Sequence, residues 1–452
     1  MGNTESVAVQ ERLARFRPED RPLVEGVFDR LHAAPGGLSA GKRLTLRHLQ
    51  SSMGSLAADP LLRRLYRGMC STDPGPAAPA ASGITREQLV VFLADTLRGT
   101  AGERAPLILA MSQTGTELAK VVSREQVEEF LQDLISAVIQ ILVHRGRVQD
   151  WKPDRMGVSS QGVKLLAEQM CSEIKPSDQG DCDASCLEDW IFRVAQVSLY
   201  LEILVVEGLN LTLGSRPAPT LLPPCKETPW NELTCLLDLP TLMFLAPQLP
   251  DSYSAPWRLV FSTRLHGESF TRMVAGLMKR GPTLLLIKDT KGHIFGGFAS
   301  PGWEVRPQFH GDSRCFLFTV FPRLRVYTAT GYNQHFMYLN QNQQTMPNGL
   351  GMGGQHCYFG LWLDSEFGCG HSCARPKCTT YGSPQLSGDE HFTMDSMEVW
   401  AVGKPPEPEE GDERDGKRSI LNADPEVQAI MEMTGKTLHS QGLREPEEHQ
   451  EQ

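Results

Sequence analysis

Over the first two hundred positions, apolar residues return at steps of three and four, the spacing that gathers them on one face of an α-helix. Residues 21–31, 43–53, 61–69, 85–97, 123–142, 161–174 and 187–204 each follow it and predict an all-helical N-terminal half. Beyond position 230 the period changes. Two further helical stretches, 233–245 and 269–279, lie among short β-branched and aromatic runs bounded by turn residues. Residues 283–288, the turn Asp289-Thr290-Lys291-Gly292 and residues 293–298 predict a hairpin, and Gly296-Gly297 inside its second strand predicts a bulge or a close backbone approach. The runs 316–321, 325–328 and 358–363 suit buried central strands. The fold class is therefore α+β, with the helical half followed by a two-layer β-sandwich carrying peripheral helices.

Prolines and charges mark the boundaries. Pro217, Pro219, Pro223, Pro224 and Pro229 crowd residues 216–229, which can continue neither a helix nor a central strand and so read as a linker. Residues 404–419 combine Pro405, Pro406 and Pro408 with Glu407, Glu409, Glu410, Asp412 and Glu413, an acidic solvated connector. The expected organisation is an N-terminal segment 1–20, a helical domain 21–215, the linker 216–229, a β-rich domain 230–403, the acidic linker 404–419, and a short helix with a polar tail in 420–452. In that last piece Asp424 caps, Pro425 suits the first helical position, and Val427, Ile430 and Met431 form an apolar stripe preceded by Ile420 and Leu421. So short a helix is marginal alone, and its stripe is covered either by a partner's groove or by the chain's own domains.

Two helix starts share a further pattern. Gly83 to Leu89 and Val121 to Val127 both resemble the end of an EF-hand loop and its exiting helix. With Ile84 at the loop's eighth position, the ligand positions hold Ala77, Pro79, Ala81 and, last, Gln88; with Val122 there, they hold Gly115, Glu117, Ala119 and Gln126. The half is expected to be EF-hand-like without calcium, with an unrelated helical bundle as the alternative.

Composition narrows the function classes. Of 452 residues, 44 are Lys or Arg and 54 are Asp or Glu, so the net charge of −10 argues against general nucleic-acid binding. The polar N-terminus lacks the apolar core of a secretory signal, and eleven irregularly spaced cysteines then read as reduced thiols in the cytosol. In that compartment the sequon Asn210-Leu211-Thr212 carries no glycan. Residues 197–213 are the most apolar stretch but contain Glu202 and Glu207, each costing roughly 2–3 kcal/mol at bilayer depth, so a buried helix is expected. Met1-Gly2 with Ser6 fits N-myristoylation at Gly2, the alternative being an unmodified start.

Five segments of residues 257–402, in order WRLVFSTRLHGESF, GPTLLLIKDTKGHIFGGFAS, GDSRCFLF, GLGMGGQHCYFGLWLDSEFGCGHS and FTMDSMEVWAV, together resemble the TLDc domain. With an acylated N-terminus and a helical first half, the chain is similar to lysosome-associated members of that family that work with mTOR. The resemblance implies a β-sandwich and binding to the vacuolar proton-pumping ATPase. It also implies a place on the cytoplasmic face of the lysosomal membrane with a cytosolic pool, mTOR signalling components as partners, and no enzymatic activity. A single myristoyl chain binds membranes only marginally, with an association constant of about 10⁴ M⁻¹, so a second attachment is required. Arg12, Arg15, Arg17 and Arg21 are largely cancelled by Glu5, Glu11, Glu19 and Asp20, which leaves a protein, such as the pump, as that attachment.

Three constellations bear on chemistry. Gly349-Leu350-Gly351-Met352-Gly353-Gly354 matches G-x-G-x-x-G in letters, but it does not open a helix, so a glycine-rich surface loop is expected. Cys369, His371, Cys373 and Cys378 lack paired C-x₂-C knuckles and read as free thiols rather than a zinc site; Cys378 alone falls where the TLDc pattern has a cysteine. His356-Cys357, with His266, His293 and His335 elsewhere, is the material for a cysteine–histidine pair, though the His266-Gly267 and Gly292-His293 pairs suit structural hydrogen bonds. TLDc proteins are associated with resistance to oxidative damage, so a redox or hydrolytic protein acting through these residues is the alternative to an adaptor. No cofactor or metal is expected.

Overall fold

The computed structural model describes residues 7–33, 43–72, 83–115, 119–156, 159–175, 180–214, 219–250 and 255–404. The chain forms two compact units, the first containing residues up to 258 with the short pieces 292–295 and 318–326, the second the remainder.

The first unit is helical. Its elements are α1 (Val7–Leu13), α2 (Arg21–His32), α3 (Leu46–Met53), α4 (Asp59–Ser71), α5 (Arg86–Arg98), α6 (Ala101–Ser112), α7 (Arg124–His144), α8 (Pro153–Met156), α9 (Ser160–Cys171), α10 (Ala184–Arg193), α11 (Ala195–Gly208) and α12 (Leu239–Leu245), with two short strands, β1 (Val121–Ser123) and β2 (Asp181–Asp183). Local chemistry starts several of them. Thr85 with Gln88, Thr100 with Glu103 and Ser123 with Gln126 form reciprocal capping boxes that satisfy two backbone N–H groups at each helix entrance. Ile84 and Val122 both sit where loops pair. Ile84 exchanges two backbone hydrogen bonds with Leu44, at 2.8 and 2.9 Å, and Val122 stands opposite Cys182 in the antiparallel β1–β2 pair.

Some expectations need correction. Residues 187–204 are two helices broken at Val194, because α10 packs on α6 whereas α11, with its apolar residues distributed around its circumference, packs on α7 and α5. The stretch 233–245 is helical only from Leu239: Asp238 accepts the Thr241 N–H at 2.8 Å, and Pro240 sits in the first turn, where it lacks the N–H that an earlier start would use. Helices α1 and α6 have no counterpart in the pattern reading, and α6 is obscured by Pro106 within it. The apolar stretch 197–213 is largely the buried helix α11, and among the described residues no helix is long and apolar enough to cross a membrane. The proline-rich segment is tied down. Trp257 donates to the Pro224 carbonyl at 2.8 Å, Lys226 donates to that of Trp257 at 3.0 Å, and the Trp151 indole donates to Pro223 at 2.7 Å.

The remaining elements are β3 (Arg258–Ser262), α13 (Thr263–His266), α14 (Phe270–Leu277), β4 (Thr283–Asp289), β5 (Ile294–Ala299), β6 (Arg306–His310), β7 (Phe316–Phe321), β8 (Arg325–Thr328), β9 (Met337–Asn340), β10 (Gly349–Gln355), β11 (Tyr358–Asp364), β12 (Cys369–His371) and β13 (His391–Ala401). They make one eleven-stranded sheet in the order β6-β9-β10-β11-β12-β13-β4-β5-β7-β8, with β3 also paired to β13. The sheet curls into two layers. Gly297 of β5 lies against Met352 of β10, and Gly360 of β11 against Leu317 of β7, although neither pair of strands is adjacent in the sheet. Strand β8 is at one end of that order and only partly buried, not a buried central strand as its residues suggest. The hairpin β4–β5 forms as expected, and the glycine pair within it marks a close approach.

Candidate functional site

The glycine-rich run is a buried strand rather than a surface loop, and what its glycines admit defines the most distinctive site of the second unit. In β10, Gly351 stands in register between Tyr338 of β9 and Trp362 of β11. A Cβ on Gly351 would fall 2.6 Å from Phe359 and 3.0 Å from Trp362, so hydrogen alone lets these rings close over the strand. Gly353 and Gly354 have φ of +72° and +81°, and a side chain on Gly353 would strike Tyr381 and the Cys378 sulfur.

The rings form a ladder across the strands. Phe359 stacks on Trp362 with centroids 4.5 Å apart, Tyr338 lies 5.6 Å from Phe359, and Trp362 stacks on His371 at 5.9 Å. Tyr338, Phe359 and Trp362 are buried. At the β6 end Phe309 is held between two histidines, stacked on His335 at 4.3 Å and tilted against His356 at 5.6 Å. His335 Nδ1 is 2.6 Å from the Gly354 carbonyl oxygen. Beside this end opens a cleft of about 590 Å³ lined by Arg306, Gln308, Phe309, His310, His335 and His356 among others. Nδ1 of His356 and both ring nitrogens of His310 are buried there without a hydrogen-bond partner. Burial, then the nearby Arg306 charge, pulls the His310 pKa below the usual imidazole value, so at neutral pH the ring is uncharged. Two tyrosines close in sequence to these histidines stand in solvent: Tyr332, 80% exposed, on the loop leading to His335, and Tyr358, 51% exposed, just after the turn that holds His356.

The structure disperses the chemistry-bearing residues read from the sequence. Cys357 is exposed in the β10–β11 turn, and no hydrogen bond joins its thiol to His356. His266 is structural: its Nδ1 accepts the Ser262 N–H at 2.9 Å and its ring stacks on Phe261. His293 precedes β5. Cys378 is buried beneath Gly353 and Gly360, where its backbone closes a turn with Ser383 and Gly382. Cys369 is exposed on β12, whereas Cys373 is buried with its sulfur 3.3 Å from Glu390, which Arg375 grips with two 2.7 Å bonds. Burial and that carboxylate push the Cys373 thiol up to about 11, so it stays protonated at neutral pH. Among the described residues no three His, Cys, Asp or Glu side chains gather as a metal-holding group. Gly2, Ile420, Leu421, Val427, Ile430 and Met431 lie outside the described residues.

In the helical unit, Gln88 and Gln126, the residues at the ends of the two loop-like patterns of the sequence, tie loop backbone to helix starts. Gln88 Oε1 accepts the Thr85 N–H at 3.0 Å, while its Nε2 donates to the carbonyls of Thr72 and Cys70 at 3.2 and 3.4 Å. Gln126 likewise accepts from Ser123 and reaches Thr114.

Comparison with known proteins decides the family. The model of the TLDc domain matches residues 231–403. Over its whole length the chain is 62% identical to the mTOR-associated protein MEAK7 of Danio rerio, covering all of both chains. The chain belongs to the TLDc family. Its human relative of the same description is 40% identical across 98% of this chain and 99% of that one. A more distant likeness, 36% over 155 residues, joins it to the oxidation resistance protein 1 of Bos taurus, covering 34% of this chain and 16% of that protein. The TLDc match takes in α12 and the whole curled sheet, so the aromatic ladder and its cleft belong to the family's domain. The ladder itself was not legible in the sequence, since its members are spread from Phe309 to His371 and only strand order brings them together. The glycine-rich run 349–354 followed closely by the aromatic run 358–362 was the available signal.

Proposed function

We propose that this chain is a non-enzymatic peripheral membrane adaptor on the cytoplasmic face of lysosomes, with a cytosolic pool, that binds the vacuolar proton-pumping ATPase through its TLDc region and supports mTOR signalling. The observation that carries the reading is similarity running through both halves, at 62% identity over the full chain, to a protein described as mTOR-associated. An adaptor acts through surfaces, and the exposed Tyr332 and Tyr358 are the kind of side chain enriched at protein contacts. The protonated Cys373 and the absence of a hydrogen bond between Cys357 and His356 favour this over thiol catalysis. For the helical half, the antiparallel pairing of Leu44 with Ile84 and of Val122 with Cys182 favours paired EF-hand-like units closed by glutamine amides rather than calcium.

Affinity purification from lysosomal membranes, with the natural chain and with Gly2→Ala, tests the proposal. Pump subunits and mTOR components should co-purify with the first, and the second should move to the soluble fraction without a change in melting temperature. Purification free of both, from correctly localised protein, would sink it. The distant likeness to oxidation resistance protein 1 supports the alternative of protection against oxidation. That reading requires a measurable turnover that disappears when Cys357, Cys378, His266 or His356 is replaced in a folded protein.

A further inference from the structure

A trough in the helical unit carries an inference about the lipid. Between α5 and α6 lies a groove of about 400 Å³. Along α6 its residues Gly102, Pro106, Leu109 and Ala110 follow one helical face, while Val91 supplies the opposite wall from α5 and Arg12 of α1 borders it. Ala110 is too small to fill the trough, where Pro106 is exposed and Leu109 half-exposed, while Gly102 lies against the Glu188 carboxylate.

The polar groups around this groove are already satisfied by one another. Arg12 Nε bonds Asp95 at 2.9 Å, Arg15 grips Glu103 at 2.6 and 2.9 Å, the Thr72 hydroxyl donates to Met69 at 2.7 Å, and the Gln113 amide is engaged on both sides by Ala119. The charges of its lining are thus paired with one another rather than turned towards a ligand. What the trough offers is apolar surface and a volume within the usual range of small-ligand sites, ~300–1,000 Å³. The same ion pairs hold Arg12 of α1 to Asp95 of α5 and Arg15, two residues past the end of α1, to Glu103 of α6. Helix α1 begins at Val7, itself 71% exposed, five residues after Gly2. Those five residues reach up to ~17 Å when extended, and Arg12 lies only ~7.5 Å along the helix from Val7. That span is long enough for an acyl group on Gly2 to enter the groove.

We propose that the α5–α6 groove is a binding site for a saturated acyl chain, and that its occupant is the chain's own myristoyl group on Gly2, held there in exchange with membrane. The inference rests on acylation of Gly2. It makes lipid exposure a regulated property: anything that fills the groove or detaches α1 releases the acyl chain, and because one such chain binds bilayers only marginally, sequestration shifts the balance strongly towards the soluble form.

The test uses full-length protein co-expressed with an N-myristoyltransferase, its acylation verified by mass, alongside unacylated Gly2→Ala. In lipid-free buffer the acylated protein should melt several degrees higher, because the groove binds its ligand only when folded. Ala110→Phe, which fills the trough, should abolish that difference and raise the fraction of acylated protein on phosphatidylcholine vesicles at least threefold. It should leave the unacylated form unbound. Leu109→Trp, at the half-exposed rim, should act in the same direction and guards against misfolding of the first variant. Equal melting temperatures and equal vesicle binding across verified acylated proteins would overturn the groove while leaving lipidation intact. A Gly2 that the transferase does not modify would overturn the acylation reading and this one with it.

Discussion

Gly297 of β5 and Met352 of β10 meet across the two layers of the curled sheet: a Cβ built on Gly297 would lie 2.3 Å from the methionine sulfur and 3.3 Å from Leu317. Hydrogen is the only substituent that fits while Met352 keeps its place. Gly297→Ala forces the flexible methionine aside at ~1–3 kcal/mol, the usual cost of overpacking. In thermal unfolding it should lower the melting temperature by several degrees, Gly297→Val should lower it further, and Met352→Ala in the Gly297→Ala background should recover part of the loss. Additive losses in the double variant would show that the two residues do not share this space.

Arg64 secures α4 to α6 and α7. Its Nε pairs with Asp133 at 2.9 Å, one terminal nitrogen donates to the carbonyls of Met111 and Ser112 at 3.1 Å each, and the other approaches Glu129 at 3.3 Å. Burial raises the Asp133 pKa, and Arg64 opposes that rise. Removing the guanidinium strands two carbonyls and a half-buried carboxylate, so Arg64→Ala should cost ~2–4 kcal/mol in urea denaturation with an unchanged slope; the exposure of Glu129 keeps the figure at the lower end for a buried pair. Arg64→Lys cannot serve all four acceptors and should fall between. A loss under ~0.5 kcal/mol would reassign this pair to the surface class.

Acid should weaken the sheet through a histidine. Burial, reinforced by repulsion from His391, lowers the His371 pKa to about 4, whereas in the unfolded chain it titrates near the ordinary 6.5. Between those values the unfolded state binds a proton that the folded state refuses, so stability is full above about 6.5 and declines as pH falls towards 4, by at most ~1.4 kcal/mol per pH unit. His310 and His48 are shifted the same way and add to the slope. Melting temperature followed from pH 7 to 4.5 should fall, and His371→Phe should flatten the curve in part. An unchanged slope in that variant would show His371 to be as easily protonated in the folded protein as out of it.

Local chemistry made much of this fold legible. Spacing alone placed helices at α5, α7 and α14, and the turn after Asp289 gave the hairpin, because each depends on neighbours within a few residues. What was hidden is what tertiary contact decides. Pro106 concealed α6, although Thr100 and Glu103 carry the capping pattern that marks its start. Nothing local breaks 187–204 at Val194; the break exists because α6 and α7 receive its two halves separately. The loop pairing at Ile84 and Val122 was visible on one side only, since Leu44 and Cys182 are followed by His48 and Cys186 rather than by glutamine. The glycines of β10 resembled a loop until Tyr338, Phe359 and Trp362 stood over them. The lipidation and tail residues are read from sequence alone.

Gln88 supplies the last test. Its amide donates to the carbonyls of Thr72 and Cys70 and accepts from Thr85, so it bridges the end of α4 to the start of α5 with neutral groups, where a calcium loop would use a carboxylate and an ion. Gln88→Glu places a carboxylate there but removes both donors and turns negative charge towards two carbonyls, a cost of ~1–3 kcal/mol. The loop's other positions bear Ala77, Pro79 and Ala81, which offer no side-chain oxygen. The variant should therefore melt a few degrees below the natural protein, and millimolar calcium should move neither curve. Rescue of Gln88→Glu by calcium, or a rise of several degrees in the unmodified chain, would mean that backbone and water oxygens complete a site there after all and that the helical half senses the ion.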